Sequence, residues 1–255
     1  MSAGDAALVF IHGWGANGGI WDEQKKYFAD KYRILAPDLP GHGANRGRVK
    51  NGAHTLVECG KDVAELIRRE NIKTAHVVGW SLGSQVAMHT ARFSDAIRSL
   101  VMVCGTPCFV GADGCDWGIP EGKARWFRGA CASDFKKYHE VFVKSFLDFE
   151  KELPDGRRGW IRESLLGNPP ETGPAMELLD DFHRADLRPS IGGIGRDLFV
   201  IHGARDKITP VGVVNFWKEA HGLRKTEIFA ECGHAPFLTA PDKFNAVLGE
   251  CLAGL

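Results

Sequence analysis

Ser81 stands in Gly79-Trp80-Ser81-Leu82-Gly83, where a β-branched run ends and a helix-like stretch, Gln85–Phe93, follows. The G-x-S-x-G spacing fits covalent catalysis by a hydroxyl. A serine hydroxyl is a weak nucleophile until the fold exposes it and a base takes its proton. A sharp strand-to-helix turn provides the exposure. Gly79 and Gly83 flank that turn because a Cβ on either would strike neighbouring backbone. The turn also points the free amides of a helix N-terminus at the place where an oxyanion would form.

The base and the acid that orients it should sit on other loops at the same sheet edge, in the chain order Ser, Asp or Glu, His. Asp206 follows the strand Leu198–Ile201 within His202-Gly203-Ala204-Arg205-Asp206, and His234 follows the strand Thr226–Phe229 within Cys232-Gly233-His234-Ala235-Pro236-Phe237. Rival histidines are placed for other work. His202 lies inside the sheet, His12 heads a turn and His221 follows a helix. Asp38 also follows a strand, but in the turn-rich Asp38-Leu39-Pro40-Gly41 before the serine, and it is the alternative acid. The Leu82 amide, directly after the serine, is the first candidate oxyanion donor. The second is the amide of Trp14 in His12-Gly13-Trp14-Gly15, after the first strand, whose indole would wall an acyl pocket. A core tryptophan beside a tight turn is the competing reading of Trp14.

These loops need a sheet to hold them together. Strands are expected at Leu8–Ile11, Arg33–Ala36, Ala75–Gly79, Ser99–Val103, Leu198–Ile201 and Thr226–Phe229. Helices are expected at Trp21–Lys31, Leu56–Glu70, Gln85–Phe93, Val213–Ala220 and Pro241–Leu252. The alternation implies an α/β fold with a mostly parallel, twisted sheet and helices on both faces. Roughly ninety residues between the fourth and fifth strands exceed any simple crossover. They read as an inserted helical lobe: Trp126–Phe149 is aromatic-rich and helical, Pro154-Asp155-Gly156 and Pro169-Pro170 interrupt it, and Ala175–Arg184 resumes. The expected division is a core of 1–106 and 187–255 with a helical cap lobe of 107–186 over the ligand-binding edge of the sheet.

Composition narrows the function classes. The 255 residues are 44% hydrophobic and 25% charged with a formal net charge of zero, as in an ordinary soluble domain. Nothing here attracts nucleic acid or an anionic membrane, and neither a leader nor a spanning segment is read, so a cytoplasmic monomer is expected. Seven scattered cysteines without a C-x-x-C pair read as structural thiols. No metal-ligand or nucleotide-binding spacing occurs, so neither a metal nor another cofactor is expected.

The chain resembles the α/β-hydrolase superfamily along nearly all its length. Within it, the chain is similar to the pimeloyl-[acyl-carrier protein] methyl ester carboxylesterases of biotin synthesis. The shared wording is His12-Gly13-Trp14-Gly15, Asp38-Leu39-Pro40-Gly41, Gly79-Trp80-Ser81-Leu82-Gly83, Pro107-Cys108-Phe109, Asp186-Leu187-Arg188 and His234-Ala235-Pro236-Phe237. The resemblance implies a serine esterase that frees a carboxylate from an acyl methyl ester carried by acyl-carrier protein. It places Ser81, Asp206 and His234 as the triad and Trp14, Leu82 and Phe146 beside the acyl chain. Members of that family begin with an antiparallel strand pair, whereas only about seven residues precede the first strand here. Six strands are therefore expected, with Arg33–Ala36 at an edge. Ser84 replaces the usual second glycine after the elbow, a change small enough to be tolerated.

From Lys123 to Arg162 there are ten basic and six acidic residues. Arg158 and Arg162, four apart, would share a helix face and could dock an acidic carrier. A solvated helix face accounts for the same charges. Pocket shape would separate an esterase from an enol-lactonase or a carbon–carbon bond hydrolase with a similar cap. A non-catalytic ligand-binding protein on this fold would have no need of all three triad residues.

Overall fold

The computed structural model describes residues 6–47, 54–220, 222–253 and 255, so His221 lies outside the described residues. Six parallel strands form one sheet: β1 Ala6–Ile11, β2 Arg33–Leu35, β3 Thr74–Trp80, β4 Ile97–Val103, β5 Asp197–Gly203 and β6 Leu223–Phe229. Their spatial order is β2-β1-β3-β4-β5-β6, which leaves the three-residue β2 at an edge. A short edge strand offers little template for unwanted pairing.

Each central strand is apolar on both faces, as a sheet covered on both sides requires. Ala7, Val9 and Ile11 of β1 pack into one layer, and Leu8 and Phe10 into the other. The first layer is closed by α2 (Leu56–Arg69) and α3 (Leu82–Phe93), through Leu56, Cys59, Val63, Ile67 and Val86. The second is closed by α1 (Asp22–Phe28) through Phe28, and later by the C-terminal helix. The 3.6-residue period of α2 is thus a single buried stripe, and Thr55 caps the helix by accepting the Glu58 amide at 3.2 Å. All seven cysteines are buried and unpaired.

Between β4 and β5 run α4 (Glu121–Ser133), α5 (Phe135–Phe149), α6 (Asp155–Gly167) and α7 (Thr172–Arg184). The aromatic stretch expected as one helical unit is split at Asp134, whose carboxylate accepts the Lys137 amide at 3.1 Å and starts α5 afresh. Chain entry and exit are paired. Cys108 bridges Asp186 in antiparallel sense, and the Leu187 amide donates to Pro107 O at 2.8 Å. The chain closes with α8 (Val213–Lys218), α9 (Pro236–Thr239) and α10 (Pro241–Ala253), where Phe244 and Leu248 fill the second layer. No helix among the described residues is long and apolar enough to cross a membrane.

The ends of β5 and β6 touch backbone to backbone. A Cβ on Gly203 would lie 1.8 Å from Gly233 O and 2.6 Å from Cys232 O. Gly203→Ala must therefore push the β5 end off the loop after β6, at a cost of about 3 kcal/mol or more. The urea midpoint of that variant is expected to fall well below the parent's. An equal midpoint would mean the loop yields freely.

Candidate active site

Ser81 links β3 directly to α3 with no intervening loop. Its φ of 55° and ψ of −123° lie in a region that L-residues avoid, at a cost on the order of 1–3 kcal/mol. The surroundings over-determine it. A Cβ on Gly79 would fall 2.3 Å from Gly83 O, and one on Gly83 would fall 2.5 Å from Ile11 O. The Ser81 amide donates to Val103 O at 3.0 Å, and the Ser84 hydroxyl donates to Ser81 O at 2.6 Å. Ser84 is thus accommodated by use as well as by size. Gly105 faces it without a side chain, since a Cβ there would lie 2.5 Å from Ser84 Cβ. The Ser81 side chain does not cap its own helix. Its hydroxyl is left for chemistry.

His234 and Asp206 meet as expected. The Nδ1 of His234 is 2.7 Å from Oδ2 of Asp206, and both residues are buried. Oδ1 of Asp206 accepts the amides of Ile208 at 2.8 Å and Thr209 at 2.9 Å. Burial by itself would raise the Asp206 carboxyl. The His234 imidazole, the His202 ring and the Thr209 amide outweigh burial and hold the carboxyl below its ordinary value. The elbow and the histidine loop are joined through Trp80, whose indole donates to His234 O at 2.8 Å and whose ring lies 5.5 Å from the imidazole. Cys104 Sγ and ligand-capable atoms of Asp206 and His234 lie within 4.8 Å of one another, but Nδ1 and Oδ2 are already engaged with each other.

The rival residues have structural jobs. Asp38 accepts the amides of Gly18 and Ala44, both at 2.6 Å, and so ties its own loop together. His12 accepts the Leu39 amide at 2.9 Å, and His202 bonds Thr209 O at 2.9 Å behind the acid. Burial lowers the basicity of both rings.

Leu82 opens α3, so its amide is among the first-turn amides that have no carbonyl within the helix. Gly13 presses on the elbow, since its Cβ would lie 3.2 Å from Ser81 Cβ, and this brings the Trp14 peptide alongside. The Trp14 indole donates to Ala175 O of α7 at 2.8 Å and meets Phe127 and Phe142 edge-on. Trp14 and Ser81 form part of the wall of a cavity of about 260 Å³, with Phe127, Phe142, Leu179 and Phe182. Such a lining suits an unbranched apolar chain.

Two expectations need correction. Phe146 is 1% exposed and does not line that cavity; its ring packs 5.8 Å from Trp80 and 6.5 Å from His234, behind the site. Phe142 and Phe149 of the same helix line the cavity instead. Arg158 is half-buried and caps the end of α5, donating to the carbonyls of Leu147, Glu150 at 2.9 Å and Leu153 at 3.5 Å. Its guanidinium is committed to the fold. Arg162 is exposed, with no partner among the described residues. Glu150 was missed by the sequence reading. It is buried and accepts three hydrogen bonds from the histidine loop and α9, although an acidic residue ending an amphipathic helix reads as solvated.

Known proteins resemble the chain over most of its length. The alpha/beta hydrolase fold family matches residues 6–241. A pimeloyl-[acyl-carrier protein] methyl ester esterase of Nitrosomonas europaea is 32% identical over 244 residues, covering 93% of this chain and 92% of its own. The protein of that name from Methylococcus capsulatus is 32% identical over 256 residues, covering 96% and 94%. Among solved structures, an esterase from Exiguobacterium antarcticum matches the fold with a TM-score of 0.86 at 22% identity, over 98% of this chain and 92% of that one. With its strained serine turn and its six-stranded parallel sheet, the chain belongs to the alpha/beta hydrolase family.

Proposed function

We propose that this protein is a serine carboxylesterase that hydrolyses the methyl ester of a pimeloyl chain carried by acyl-carrier protein, a step of biotin synthesis. One observation carries the reading: a serine held at φ 55° walls an apolar cavity, and the His234–Asp206 pair is tied to the same turn. The relatives named above supply the substrate class.

In this reading Ser81 Oγ attacks the ester carbon while His234 takes its proton, and the Trp14 and Leu82 amides hydrogen-bond the oxyanion. Asp206 fixes the imidazole with Nδ1 protonated, leaving the other ring nitrogen as the base. Collapse of the tetrahedral intermediate expels methanol, which takes the proton from His234. Water, deprotonated by the same ring, then cleaves the acyl-enzyme and frees the carboxylate. The acyl chain would lie along Phe142, Leu179 and Phe182. We read 107–186 as the lobe that encloses it and 1–106 with 187–255 as the core, a division supported by the paired entry and exit at Cys108 and Asp186. A cytoplasmic setting fits a chain of zero net charge whose thiols are buried and unpaired.

Carrier docking falls to the basic residues of the lobe that the fold leaves free. Arg125, Arg128, Lys144 and Arg157 are paired with acids, and Arg158 is a helix cap. Lys123, which lines the cavity, and Arg162, exposed on α6, are two cations of the lobe that the fold leaves free.

Ser81→Ala is expected to lose about 10⁴-fold or more in ester hydrolysis while keeping the parent's melting temperature. Activity within tenfold of the parent would remove Ser81 from the mechanism. Asp206→Asn should lower kcat by about 100-fold or more with little change in KM, because it disturbs the imidazole tautomer and leaves the acyl cavity alone. An unchanged kcat would transfer the role to another acid. For the substrate, Arg162→Ala combined with Lys123→Ala should raise KM for carrier-bound pimeloyl methyl ester several-fold and flatten its salt dependence. Hydrolysis of p-nitrophenyl butyrate by the same protein serves as reference. Equal losses on both substrates would count against carrier docking at this rim.

A further inference from the structure

The loop that carries His234 is gripped from the lobe. Glu150, at the end of α5, is fully buried. Its Oε2 accepts the Gly233 amide at 3.0 Å and its Oε1 accepts the Ala235 amide at 2.8 Å, so the two bonds flank His234. The Thr239 hydroxyl of α9 donates to Oε2 at 2.7 Å. Gly233 admits the carboxylate because a Cβ there would lie 2.6 Å from Oε1. The other end of the grip is fixed too: the Glu150 amide donates to Leu147 O at 3.2 Å, and Arg158 donates to Glu150 O at 2.9 Å.

We propose that Glu150 is a positioning residue for His234, a carboxylate of the inserted lobe that sets the backbone on both sides of the base. The proposal rests on the reading of His234 as the base. Asp206 fixes the ring's tautomer, yet one hydrogen bond to Nδ1 leaves the Cα–Cβ direction free. The amides of residues 233 and 235 set that direction, and each needs an acceptor because the loop is buried there. A carboxylate supplies two acceptors on a rigid fork, which a neutral carboxamide does not. Both amides are obligate donors, so the group bonds through both oxygens. Asp206 and Cys104 lie within ligand distance of His234, and His202 also acts on it electrostatically.

Glu150→Gln keeps the shape, removes the charge and sets an amide NH₂ against a backbone N–H. With p-nitrophenyl butyrate, kcat is expected to fall about tenfold or more while KM stays within about twofold, since a misaimed base slows chemistry and leaves the cavity intact. Simple loosening of the lobe would raise KM as well. A kcat within about threefold of the parent, or a KM that rises as kcat falls, overturns the proposal. Should the variant fail to fold, Thr239→Val is read instead: it leaves both amide bonds in place and frees one side of the carboxylate. A fall in kcat of about threefold is expected there, and an unchanged kcat overturns the proposal. Ser81→Ala, run alongside, separates the two readings. If it stays active, the catalytic assignment fails. If it is inactive while Glu150→Gln matches the parent, the role of Glu150 alone fails.

Discussion

Main chain must approach main chain at the carboxyl ends of the strands, and the rest of the molecule is arranged around that crowding. Gly79 and Gly83 close the serine turn on itself, Gly83 sits against the carbonyls that end β1, and Gly203 meets the loop of His234. Each contact leaves no room for a methyl group. Together with the Trp80 indole bonded to His234 O, they draw loops from β1, β3, β5 and β6 to one edge of the sheet. The strain at Ser81 persists because those contacts, with the Ser84 and Val103 hydrogen bonds, leave the turn no relaxed alternative.

Much of this was legible in the sequence, for a physical reason. Strands buried on both faces must be short apolar runs, and such runs stand out between helices that show one wet face. The placement of Ser81, Asp206 and His234 was legible because all three follow strand ends, and strand ends are easier to locate than the faces of inserted helices. The lobe was harder. Phe142, Phe146 and Phe149 lie on neighbouring turns of α5, and the helical period cannot say which turn overhangs the cavity and which abuts Trp80. Arg158 and Glu150 carry charges that composition assigns to solvent. Their burial follows from unpaired carbonyls at the end of α5 and unpaired amides beside His234, and both needs arise only once the chain is folded.

The cavity and the His234–Asp206 pair both draw on the helices between β4 and β5. One side of α5 gives Phe142 and Phe149 to the cavity wall, while Phe146 backs Trp80 and His234, and its end supplies Glu150. Trp14 works in both regions. It follows Gly13, which packs against Ser81, and its indole is fixed to α7 by the Ala175 carbonyl. The cavity wall and the setting of His234 therefore share one helix, and a change in α5 made for the first will be felt by the second.

The bridge between Cys108 and Asp186 bears on how such a chain folds and diverges. Because the excursion leaves and returns at one point, the sheet meets it as a closed loop whatever its contents. The entropic cost of closing a loop grows only with the logarithm of its length, about 0.6 kcal/mol for each doubling. The exposed turns between the inserted helices can lengthen or shorten at small cost to the assembly of β4 with β5. The end of α5 has no such freedom, since Glu150 is stitched to the loop after β6, and neither has α7, which holds the Trp14 indole at Ala175 and the Leu56 amide at Asp181. Inheritance should thus hold those two helices fixed and let the turns between them drift.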